Sequence, residues 1–191
     1  MKNQTTQVLQ KSLSKAFPGN RAELLAEAFI LLLTGMLAMV LHAKLRIPMH
    51  LPGKQGLLFM FIVISSSLLS RVRFSTLLVT TGAASLLLTG FGGFDDPLMP
   101  VYYLLVGFVM DLFLISSPRF LQKAWLIGLA GGLSFSLIPV SRALISIFTG
   151  LPYPSLFTGI LYPWITHFLF GFVGSFLAAM AVKTLAESEK K

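Results

Sequence analysis

Six apolar segments, at roughly 22–43, 55–70, 74–91, 100–117, 124–148 and 160–182, occupy nearly the whole chain and dictate its solvent. A helix rises 1.5 Å per residue, so about 20 apolar residues cross a hydrocarbon layer of about 30 Å, and each segment is near that length. The second, about 24 Å long as a helix, falls a little short, while the fifth has length enough to tilt. Of 191 residues 55% are hydrophobic and 12% are charged, about half the charged share of an ordinary soluble domain, which makes lipid the main solvent. The expected fold is an all-α integral membrane protein: a compact bundle of six transmembrane helices, one transmembrane domain over 1–191. The connections at 44–54, 92–99 and 150–159 are rich in proline and glycine, as loops are. The first run begins only near Ala22, after a polar segment over 1–21, and it is longer than a signal-peptide core and lacks a small-residue cleavage site, so it reads as a retained span.

Basic residues fix the expected orientation. Four lie in the amino-terminal segment, two at 71–73, two at 118–123 and three at 183–191, which puts eleven on one side; the other side has three, Lys44, Arg46 and Lys54. Positively charged loops stay in the cytoplasm, so both termini are expected there, with the charged tail at 184–191. The net charge of +8 follows from the same rule and does not require a nucleic acid partner. Cysteine is absent, which removes disulfides, thiolate nucleophiles and cysteine-based metal sites.

The three basic residues on the outer side all lie in the first connection, which runs Lys44-Leu-Arg-Ile-Pro-Met-His-Leu-Pro-Gly-Lys54. Its prolines at 48 and 52 favour an extended path. Two readings stand: a stiff connector whose cations meet lipid headgroups, or a lid that presents Arg46, His50 and Lys54 to an arriving solute.

Ionisable residues inside a span are costly, and three stand out. Asp111 lies about eleven residues into the fourth segment, roughly 16 Å deep and near the midplane. Arg142 and His167 fall in the outer half, beneath the first connection. Pro139 leaves the carbonyl of Phe135 without its donor, so a kink near Arg142 is expected. Tyr102, Tyr103, Tyr153, Tyr162 and Trp164 stand at the same level, either as pocket walls or as an interfacial belt. The bland reading of Arg142 is a salt bridge to Asp111, and that of His167 a helix–helix hydrogen bond. Small residues four apart, among them Ala22 and Ala26, Gly128 and Gly132, and Gly171 and Ser175, suit close helix packing, and the first pair also suits a partner's docking face. The chain lacks the HExxH, GxSxG and Walker-type signatures, and Asp95-Asp96 is too isolated for a two-metal site, so no enzyme, cofactor or metal centre is expected.

In size, six-span pattern, the outer loop Arg46-Ile-Pro-Met-His-Leu-Pro-Gly and the first-helix Ala22-x-x-x-Ala26, the chain resembles the substrate-binding S components of energy-coupling factor (ECF) transporters. That resemblance covers the whole chain and implies uptake of a vitamin or other micronutrient across a bacterial cell (inner) membrane. It further implies an outer loop acting as a lid, and an AxxxA face on a transmembrane coupling subunit served by two ATPase subunits. Glu23 within the alanine pair departs from the pattern. The expected substrate-binding residues are Arg46, His50, Lys54, Tyr102, Asp111, Arg142, Trp164 and His167, with Ala22 and Ala26 toward a partner. Cationic residues around the site favour an anionic solute. Two rivals stand beside this reading: a stand-alone carrier using Asp111 and His167 as a proton relay, and a structural subunit of a larger complex.

Overall fold

The computed structural model describes residues 21–45, 51–93, 96–116, 123–157 and 159–188. Among them are seven α-helices and no strand: α1 (Arg21–Lys44), α2 (Gly56–Leu69), α3 (Ser75–Leu88), α4 (Met99–Ser116), α5 (Ala124–Phe135), α6 (Leu137–Thr149) and α7 (Leu161–Ser188), with a 3₁₀ turn at Pro154–Leu156. Four units are long and apolar enough to cross a membrane: α1, α4, α5 with α6 taken together, and α7. The other two, α2 and α3, have 14 residues each, about 21 Å as helices, so the third segment is as short as the second. Long apolar helices of this kind suit a membrane protein.

The fifth segment is two helices joined at Ser136, where a turn interrupts the run. Pro139 explains the break, because it cannot donate to the Phe135 carbonyl, and it sits instead in the first turn of a restarted helix. The same rule places Pro100 and Pro163 within the first three residues of α4 and α7.

Neighbouring helices close into a ring in the order α1, α3, α4, α5, α7, α2 and back to α1. In lipid, apolar side chains gain little by leaving the solvent, so helix association depends on how closely backbones approach. At the α1–α3 crossing both backbones meet at glycine. A methyl group added to Gly35 would stand 1.7 Å from the Val79 carbonyl oxygen, and one added to Gly82 would stand 1.9 Å from that of Leu32. The glycines of α5 serve the α5–α7 contact, where Phe168, Phe172 and Phe176 lie along Gly128 and Gly132. The pairs Gly128 and Gly132 and Gly171 and Ser175 thus pack within the chain. Ala22 is 3% exposed and Ala26 is half-buried, while Leu25, Phe29 and Ile30 form an exposed face of α1.

One end of the bundle, called here the first-loop end, gathers residues 51–55, the approach to α4 and the α6–α7 connection. Gln55 Nε2 donates to the Leu45 carbonyl at 2.8 Å, and the Lys44 ammonium stands 5.9 Å from the Phe91 ring centre. The opposite end holds the α2–α3 turn, tied to α1 by the Arg71 backbone N–H donating to Glu27 at 2.7 Å.

Candidate functional site

A cavity of about 230 Å³ opens at the first-loop end, bounded by residues 51–55, α4, the α5–α6 junction and α7. Aromatic rings make its inner wall. His42 from α1 meets Phe59 and Tyr103 edge-on at 6.2 and 6.1 Å, and Phe135 stacks on His167 at 5.3 Å. Pro52, Gly53, Lys54 and Gln55 cover it. The backbone of Gly53 has φ +75° and presses onto the imidazole of His167, so close that a methyl group there would come within 2.7 Å of the ring. A positive φ and this contact both select glycine.

Three expected site residues, Lys54, Arg142 and His167, do line this one cavity. Arg142 donates from Nε to Asp96 Oδ2 at 3.0 Å and from a terminal nitrogen to the Met99 sulfur at 3.3 Å. Its guanidinium lies 5.6 Å from the Tyr102 ring and 5.8 Å from the Tyr153 ring, whose hydroxyls bond at 2.9 Å. Cation–ring contacts of this kind add to an ion pair when both are shielded from water. Tyr102 therefore stands behind Arg142, 1% exposed, and belongs to no interfacial belt. His167 donates from Nδ1 to the carbonyl of Pro163 at 2.7 Å within its own helix.

Asp111 belongs elsewhere. Its two carboxylate oxygens accept the backbone N–H groups of Thr76, at 3.1 Å, and Leu77, at 2.7 Å, in the first turn of α3 at the opposite end of the bundle. The first N–H groups of a helix have no partner inside it, and Phe74, just ahead of α3, offers no capping side chain. Asp111 supplies the missing acceptor from α4, where the positive end of the helix dipole also favours a negative charge. Hydroxyls of Ser67, Ser75 and Thr76 extend the buried network, with Ser67 bonding to the other two at 2.6 and 2.9 Å. The expected salt bridge of Asp111 to Arg142 is corrected accordingly, since Arg142 pairs with Asp96. A proton relay between Asp111 and His167 has its two members at opposite ends of the bundle.

Trp164 is also corrected. It is 38% exposed on the outer surface of α7, where it heads a column of stacked rings continued by Phe168 and Phe172. Arg46 and His50 lie outside the described residues. Sequence reasoning missed His42 and Asp96. His42 lies within the first apolar segment and carried the same signal as His167; its closeness to Lys44 disguised it as part of a helix end. Asp96 was visible only as a loop marker, although an arginine inside a span asks for a carboxylate. Among the described residues no group of three or more His, Cys, Asp or Glu side chains is placed to hold a metal ion.

Comparison of the chain with family models, with curated proteins and with solved structures finds no match. The functional reading therefore rests on the residues and the cavity themselves.

Proposed function

We propose that this chain is the membrane-embedded binding subunit of an uptake system for a small, water-soluble, anionic micronutrient of vitamin-like size. In this reading it spans a bacterial inner membrane six times with both termini in the cytoplasm, in keeping with eleven basic residues on one side against three on the other. The observation that carries it is the cavity at the first-loop end. It is concave, walled by rings, and furnished with a few polar groups, Lys54, Gln55, Arg142 and His167, which is the usual make-up of a small-molecule site. Cationic lining favours a negative group on the solute, although Asp96 already offsets Arg142. The chain shows no ATP-binding motif, so energy for uptake comes from partners: a transmembrane coupling subunit and two ATPase subunits, as the resemblance to the S components of ECF transporters implies. No catalysis is assigned to it.

Native mass spectrometry of the full chain, gently extracted from its own membranes, tests this reading. The expected result is a retained small molecule that is lost from Arg142→Ala and His167→Ala. A chain that carries nothing and is left unchanged by a panel of small carboxylic acids would rule the proposal out. Reporters active on one side only, fused to each terminus, test the topology, and opposite placement of the two ends contradicts six spans.

A further inference from the structure

Resting on the reading of the cavity as a solute site, we infer that His167 is a specificity-determining hydrogen-bond acceptor, and that the solute carries a polarised N–H group, of amide, lactam, ureido or azole type, directed at it. The neutral imidazole has one donor and one acceptor nitrogen, and the partner of the first decides which is which. Here the partner is a backbone carbonyl, which can only accept. Nδ1 of His167 lies 2.7 Å from the Pro163 oxygen and so carries the hydrogen, leaving Nε2 with a lone pair. Two further contacts hold the ring in place. Phe135 stacks on the ring and the Gly53 backbone presses against its Cγ, Nδ1 and Cδ2 atoms, so the side chain has little freedom to turn. His167 is 7% exposed and lines the cavity, and Nε2 has no hydrogen-bond partner among the described residues.

Gln55 repeats the pattern on the facing loop. Its amide nitrogen donates to the Leu45 carbonyl at 2.8 Å, which assigns the other atom as oxygen, and that Oε1 is buried without a hydrogen-bond partner. Gln55 Oε1 is therefore a buried acceptor without a donor, which is expensive, and His167 offers its Nε2 lone pair at the same cavity. A solute N–H satisfies this need; an N-methyl group at the same place both removes the donor and collides with the ring. Sites built to bond a donor reject analogues that lack it far more strongly than sites that measure size alone.

Matched carboxylic acids differing only in N-methylation provide the probes: pyroglutamate and its N-methyl derivative, indole-3-acetate and 1-methylindole-3-acetate, 2-oxoimidazolidine-4-carboxylate and its N,N′-dimethyl derivative. Affinities are measured by calorimetry on the full chain in nanodiscs. At least one N–H member is expected to bind about tenfold or more tightly than its methylated partner, and His167→Phe, which keeps the stacked plane but has no acceptor, is expected to erase the difference. Long-range proton–nitrogen correlation on histidine-labelled wild-type protein gives a second readout that needs no variant, and a neutral Nδ1–H tautomer is expected at His167. Equal affinities within every pair that binds, or an Nε2–H tautomer, would overturn this inference while leaving the solute site standing. Failure of every probe to bind would overturn both.

Discussion

Arg142 and Asp96 are joined at 3.0 Å across 46 residues of sequence, so the one arginine inside an apolar segment has its counter-ion within the chain. The pair ties α6 to the turn that leads into α4, and the Tyr102 and Tyr153 rings close over the guanidinium. A solute is therefore not needed to neutralise Arg142, and in the proposed reading the guanidinium offers its remaining N–H donors from a fixed position.

The consequence for stability is measurable. Both side chains are mostly shielded, at 16% and 13% exposure, so removing either partner leaves a poorly solvated charge behind. Arg142→Ala and Asp96→Asn should each cost about 1–3 kcal/mol in unfolding experiments in detergent. The double variant should cost less than the sum, with a coupling of about 1 kcal/mol or more. Strict additivity would mean that the pair is too well solvated to hold the loop to α6.

Asp111 offers the contrasting case of a buried carboxylate whose two oxygens are taken by backbone N–H groups. Replacing it by alanine strands the Thr76 and Leu77 N–H groups at the start of α3 and leaves the cavity at the other end untouched. The expected loss is about 1–3 kcal/mol of stability with solute retention unchanged. A variant that melts normally but no longer retains solute would return Asp111 to the functional residues.

The α1–α3 crossing makes a sharper demand. Gly82→Ala would place a methyl group 1.9 Å from the Leu32 carbonyl oxygen, with backbone and not a pliable side chain in the way. The two helices must separate to admit it, and a loss above about 3 kcal/mol, or failure to accumulate in the membrane, is expected. An equal change at Gly90, where added bulk meets nothing within 4 Å, controls for backbone effects, since its φ of +75° makes alanine strained but not crowded. Similar losses at both positions would argue against the crossing as the critical contact.

What the sequence revealed and what it hid divide along physical lines. Apolar length and proline position are local properties, so the helices, the break before Pro139 and the short second segment were all legible. The convergence of Lys54, Arg142 and His167 was also legible, because helices alternating in direction bring together residues at similar distances from one end. Partner choice is not local. The cap that α3 lacks is supplied 35 residues away by Asp111, and depth counting cannot see a helix N-terminus as a competitor for a carboxylate. Trp164 was placed by its level alone, and a shared level does not say whether a ring looks to a pocket or outward from the bundle.

Gly53 provides the most direct link between the covering loop and the cavity chemistry. Its φ of +75° is a conformation that other residues adopt only under strain, and the space where a side chain would begin is filled by the His167 ring. Gly53→Ala must either lift residues 51–55 or push the imidazole off Phe135, and both movements misplace Nε2 relative to Gln55. The bundle core below, built on Phe59, Met60 and Met110, is not touched by the change. Solute affinity should therefore fall about tenfold or more while the unfolding midpoint moves by only a few degrees. Calorimetry and thermal unfolding on the same purified sample separate the two effects. Full affinity with a lowered midpoint would show that the Gly53–His167 contact serves the fold and not the site.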